Sequence, residues 1–96
     1  MNSNETLTIR ILKLPVEVSE GGSLFAPYPM KILHFGEQGN KLYVWVKCWE
    51  DGPAVFVDYR IVGTGWRLND EGLAYHSTVQ TEVGLVWHLF VEESAV

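Results

Sequence analysis

Between Gly63 and Gly72 the chain reads GTGWRLNDEG, a glycine-bounded loop in which an indole and a guanidinium are neighbours. Gly63 and Gly65 permit a tight nest of backbone N–H groups, and Thr64 adds a hydroxyl. Arg67 offers a fork of donors that suits phosphate, and Trp66 a face on which a base can stack. These are parts of a nucleotide site. They are equally the parts of an ordinary turn, with Trp66 capping the end of a core and Arg67 in solvent. The loop lacks the third glycine of a dinucleotide fingerprint and the Gly-Lys-Ser/Thr of a P-loop, and no helical pattern follows it.

The other reactive side chains are spread out. His34, His76 and His88 are far apart and none stands at ligand spacing from Cys48, so zinc has little support, although strands can bring distant histidines together. Cys48 lies in an apolar run with no activating neighbour and reads as a buried thiol. Ser77 follows His76, but adjacent strand residues point to opposite faces, so His76 is not expected to act as its base. Paired carboxylates fall on turns, where solvation explains them. These residues predict no catalytic constellation, no metal site and no cofactor.

The 96 residues fit one β domain, 1–96, with a single core. Seven Lys and Arg against twelve Asp and Glu give a net charge of −5, which opposes a broad duplex-binding surface, so nucleic acid is not an expected partner. A single cysteine forms no intrachain disulfide and fits reducing cytosol. The start, MNSNET, has neither the basic residues nor the apolar core of a signal peptide, and no run approaches the ~18 apolar residues of a membrane span. A soluble chain without a membrane partner is expected.

Positioning the loop falls to strands, because period-two alternation dominates and no stretch carries a helical apolar stripe. Six strands are predicted, at 5–14, 30–35, 41–49, 54–62, 73–82 and 85–91. In the first, Leu7, Ile9 and Ile11 share a face, and Pro15 ends it or leaves it at an edge. Residues 16–29 read as a long irregular loop, 37–40 as a hairpin turn in which Gly39 and Asn40 take positive φ, and 1–4 and 92–96 as frayed ends. The economical all-β model is one curled meander sheet or partly closed barrel of antiparallel strands. In the strand at 41–49, Leu42, Val44, Val46 and Cys48 form one face and Tyr43, Trp45, Lys47 and Trp49 the other. Both faces want burial, which predicts a homo-oligomer (dimer or tetramer) or a flat ligand, unless residues 16–29 fold back over the aromatic face.

The segments PMKIL (29–33), VGTGW (62–66), YHSTVQ (75–80) and GLVWHLF (84–90) together resemble a family of small proteins of tailed bacteriophages. Members show a Pro followed by a Lys-Ile-Leu strand, then Thr-Gly-His, Thr-Val-Gln and a closing Val-Trp-His-x-Phe. Thr64, Gly65, Thr78, Val79, Gln80, Trp87 and His88 match, while Trp66 stands where the family usually has His. The resemblance implies an accessory phage protein in the host bacterial cytoplasm, similar to "sponges" that sequester cyclic dinucleotide or cyclic ADP-ribose signals of the CBASS and Thoeris defences.

On that reading the ligand contacts are Trp66 for stacking, Arg67, Thr64 and the Gly65 backbone for phosphate, and Thr78 or Gln80 for base edges or ribose. Trp45 and Arg60 are second candidates. Trp87 reads as core. Two alternatives stand beside it: an acidic inhibitor that grips a host enzyme through the aromatic strand face, and a nucleotide-cleaving enzyme built on the histidines.

Overall fold

A computed structural model of the protein describes residues 8–95. It contains seven strands: β1 (Ile9–Val16), β2 (Ser19–Pro27), β3 (Met30–Gln38), β4 (Lys41–Trp49), β5 (Ala54–Gly63), β6 (Leu73–Gln80) and β7 (Val86–Glu92). A short 3-10 turn follows at Glu93–Ala95. The strands form two antiparallel sheets, of order β1-β4-β3 and β2-β5-β7-β6. The all-β class expected from alternation is what forms, but as an open two-layer sandwich rather than one curled meander or barrel.

The layers follow from which side chains each strand must hide. In β4 the apolar parity turns inward, leaving Val44, Val46 and Cys48 with no exposed surface. Across the interface, β5 and β7 present Val57, Tyr59, Ile61, Leu89 and Val91, also buried. Ile32 and Phe35 of β3 and Leu24 and Ala26 of β2 complete the core. Each buried Val, Leu, Ile or Phe among them contributes about 1.5–3 kcal/mol. Only β3–β4 and β6–β7 join sequence neighbours that also pair; the chain crosses between layers after β1, β2 and β4.

The seventh strand is β2, inside the segment 16–29 expected to be irregular. Its signal is hidden by Gly21-Gly22, which lies where the β2–β5 register shifts between Ser19 and Gly22. A Cβ at Gly22 would stand 2.6 Å from the Tyr59 hydroxyl, so the glycine lets this edge strand pass over the buried phenol. That hydroxyl accepts a 3.2 Å hydrogen bond from the Glu17 N–H at the crossing into β2. The segment does not cover the aromatic face of β4; it extends the opposite sheet.

The facing of β1 also differs from expectation. Leu12 and Leu14 pack against the core and Val16 is buried within it, whereas Ile9 and Ile11 are 49% and 64% exposed. Both parities of this strand are apolar, and pairing of Leu12 with Val46 and Leu14 with Val44 selects the second. Leu7 lies outside the described residues, as do residues 1–4. Pro15 stands within β1, an edge strand, where a missing N–H is tolerated. The β3–β4 turn takes positive φ at Gly39 (61°) and Asn40 (65°), as two-residue hairpins demand. Among the described residues no helix is long and apolar enough to cross a membrane.

Two crossings brace one another. The Tyr28 N–H donates to the Pro53 carbonyl at 2.7 Å, and a Cβ on Gly52 would stand 1.8 Å from the Tyr28 carbonyl oxygen. Backbone cannot yield as a side chain can, so Gly52→Ala is expected to cost about 1–3 kcal/mol. Gly21→Ala, where a Cβ meets nothing within 4 Å, should stay within about 0.5 kcal/mol of the parent. Urea midpoints of the two variants check this, and equal midpoints would refute it.

Candidate functional site

The loop that follows β5 is built by local hydrogen bonds. The Trp66 N–H donates to the Gly63 carbonyl at 3.1 Å, Gly65 takes φ 85°, and the Asn69 side chain accepts from the Glu71 N–H at 3.1 Å before Gly72 (φ 76°) leads into β6. The Trp66 indole meets Trp87 edge to face, with centroids 5.5 Å apart, and crosses close above Gly63, where a Cβ would be 2.8 Å from Nε1. It thus closes one end of the core through Trp87 while remaining 54% exposed. Both readings of the loop describe part of Trp66.

Strand pairing places the other motif residues beside this loop. On the outer face of the four-stranded sheet, Val62 of β5 pairs with His88 of β7, which pairs with Thr78 of β6. His88 then sits between two threonines: Nε2 is 2.8 Å from Thr64 Oγ1 and Nδ1 is 2.9 Å from Thr78 Oγ1. The chain continues to the Tyr75 hydroxyl, 2.7 Å from Thr78 Oγ1. A neutral imidazole donates from one nitrogen and accepts at the other, so this row alternates donors and acceptors from Thr64 to Tyr75. Such a row can bind a polar ligand. With both ring nitrogens already engaged by hydroxyls, it is not arranged as a base waiting for a substrate proton.

The remaining candidates are placed unequally. Gln80 lies two residues beyond Thr78 and paired with Val86, on the same outer face. Arg67 is exposed and has no hydrogen-bond or ion-pair partner among the described residues. Arg60 donates to the Asn69 carbonyl at 3.3 Å and lines a groove shared with Asp58, Glu71 and Glu92, carboxylates that oppose a phosphate there. Trp45 is on the other sheet altogether, so it does not join this cluster. Sequence spacing gave no sign that His88 is the hub or that Tyr75 extends it, because the three strands that meet there are separated by loops.

His76 and Ser77 correct the sequence reading. The register shifts between Tyr75 and Ser77, so a bulge at His76 undoes the strict alternation that would have parted them. His76 Nδ1 lies 2.8 Å from Ser77 Oγ, and Nε2 lies 3.4 Å from the Ile32 carbonyl of β3. The pair is half-buried in the seam between the two sheets and ties β6 to β3. The three histidines thus occupy three environments, and among the described residues no group of three or more His, Cys, Asp or Glu could hold a metal ion.

Gly63→Ala should push the Trp66 indole off its seat while leaving the sheet intact. The expected result is a reduced near-ultraviolet circular dichroism signal from the Trp66–Trp87 contact with an unchanged far-ultraviolet spectrum. An unchanged near-ultraviolet spectrum would contradict this packing.

The chain belongs to the family described as Domain of unknown function (DUF7352), whose model matches residues 8–96. Neither the curated proteins nor the solved structures contain a significant match.

Proposed function

We propose that the protein is a non-enzymatic binding module that sequesters a cyclic nucleotide signal, of the cyclic dinucleotide or cyclic ADP-ribose type, where Thr64, His88 and Thr78 meet. The observation that carries this reading is convergence. Residues 64–66, 78–80 and 87–88 are separate in sequence, yet Thr64, Thr78 and His88 are hydrogen-bonded into one row. The row offers donors and acceptors to ribose or base edges, and Arg67, without a partner among the described residues, offers its guanidinium to phosphate. Trp66 and Tyr75, 54% and 57% exposed, offer faces to bases.

The energetics are adequate. A base stacked on an aromatic side chain is worth about 1–3 kcal/mol. Two such bases and two charge-assisted phosphate contacts sum to about 5–12 kcal/mol before the cost of association, so nanomolar affinity, about −12 kcal/mol, requires a preorganised site. Here the hydroxyl–imidazole row and the Trp66–Trp87 contact supply that preorganisation. Binding without turnover agrees with an imidazole whose nitrogens are both occupied. In the setting implied by the resemblance to phage proteins, sequestration would silence a nucleotide-signalled defence in the host bacterial cytoplasm.

A thermal-shift panel of cyclic dinucleotides, cyclic trinucleotides and cyclic ADP-ribose isomers tests the proposal. One member should stabilise the protein by about 2.7 kcal/mol at a hundredfold excess over its dissociation constant, and be recovered intact after heat release. Trp66→Ala and Arg67→Ala should each weaken that binding about tenfold or more. No stabilisation by any member, or affinities of both variants within about twofold of the parent, would overturn it. Recovery of a cleaved product would make the protein an enzyme instead.

A further inference from the structure

The outer face of the three-stranded sheet is untouched by the site above. Alternation along β1, β4 and β3 places all four lysines of the chain on it: Lys13, Lys31, Lys41 and Lys47. Among the described residues of these three strands no aspartate or glutamate shares that face, and Asp51, just past β4, lines a pocket with Trp49 at its rim. The rest of the sequence holds three arginines against twelve acids, so an acidic protein carries one concentrated basic surface.

The same face is aromatic. Tyr43, Trp45 and Trp49 run down its central strand, and the pairing of β3 with β4 sets His34 opposite Trp45. The rings are held in place by their neighbours. Lys13 Nζ sits 4.2 Å from the centroid of the Tyr43 ring, and its ammonium also donates to Gln38. The His34 and Trp45 centroids are 5.4 Å apart, and those of Tyr43 and Trp45 6.1 Å. Gly36 makes room for this arrangement, since a Cβ there would stand 2.6 Å from His34 Nε2. Trp49 remains 37% exposed.

We infer that this face is a binding platform for single-stranded nucleic acid, with bases stacked on Trp45, Trp49 and Tyr43 and phosphates on the flanking lysines. Charge complementarity selects the occupant. A polyanion with unpaired planar groups satisfies both the lysines and the rings, whereas a duplex hides its base faces and would leave the rings unused. A second copy docked face to face would bring eight lysines together with no carboxylate among the described strand residues of that face to offset them, which like-charge repulsion opposes. The nine residues of β4 span about 30 Å, room for a strand of about four nucleotides or more. The low net charge read from composition concealed this, because it averages one basic face with an acidic remainder.

Fluorescence anisotropy of a labelled oligothymidylate and oligouridylate of about twelve nucleotides tests the inference, with a duplex of equal length as the comparison. Single strands should bind at least about tenfold more tightly than duplex, with a log–log salt slope of about −2 to −3 for three or four neutralised phosphates. Trp49→Ala, at the rim of the face, and the double variant Lys31→Gln, Lys47→Gln should each weaken binding about tenfold, with unchanged far-ultraviolet spectra. Trp66→Ala should leave it unaltered, so this inference and the nucleotide site fail independently. No saturable binding up to about 100 μM at low salt, or equal binding of duplex with no effect of Trp49→Ala, would overturn it. So would a concentration-dependent dimer abolished by Trp49→Ala, which would give the face to a second copy.

Discussion

Burial of Val44 and Val46 of β4 against Ile61 of β5 and Leu89 and Val91 of β7 is the contact on which the rest of the molecule depends. These five side chains have no exposed surface. In a chain of 96 residues, whose net stability falls in a range of about 5–15 kcal/mol, they are a large share of what holds the layers together. A one-residue slip in either sheet would turn them out to solvent, so the core fixes every register. With the registers fixed, the outward residues are fixed too. His88 must lie between Val62 and Thr78, and Trp45 between Lys13 and His34. Both candidate surfaces are thus consequences of inner packing rather than of their own cohesion.

An open sandwich leaves four strand edges, and each is blunted. The β1 edge carries Pro15, while β2, β3 and β6 each carry a register irregularity, at Ser19–Gly22, Ile32–His34 and Tyr75–Ser77. Proline and bulges both spoil the row of groups that another strand would pair with. Two of these irregularities are used again. That in β6 turns His76 onto the Ile32 carbonyl and closes the seam between sheets, and that in β2 passes the chain over Tyr59. Defences against edge pairing and devices that shape the core are here the same residues.

Strand β4 was fully legible in the sequence, including its two unlike faces, as was the positive-φ turn at Gly39 and Asn40. What failed has a common cause. Gly21-Gly22 reads as a loop signal, and only the presence of Tyr59 beneath it makes it a bulge in a strand. The facing of β1 is ambiguous because Ile9 and Ile11 compete with Leu12 and Leu14, and β4 decides between them. His76 and Ser77 meet because of a bulge that no spacing rule anticipates. The candidate site was partly legible: the loop stood out by its chemistry, but its link to Thr78 and His88 is a product of strand order. The gathering of four lysines on one face required the sheet itself.

Two chemically distinct outer faces, one bearing the Thr64–His88–Thr78 row and the other the lysine and aromatic platform, are the central claim about how this small sandwich acts. Backbone amide NMR of the labelled protein, titrated in turn with the cyclic nucleotide panel and with oligothymidylate, tests it most directly. Shifts induced by a cyclic nucleotide should gather at residues 63–67, 78–80 and 88, and those induced by the oligonucleotide at residues 31–36 and 43–49. Perturbation of one common surface by both ligands, or of neither surface by either, would contradict it.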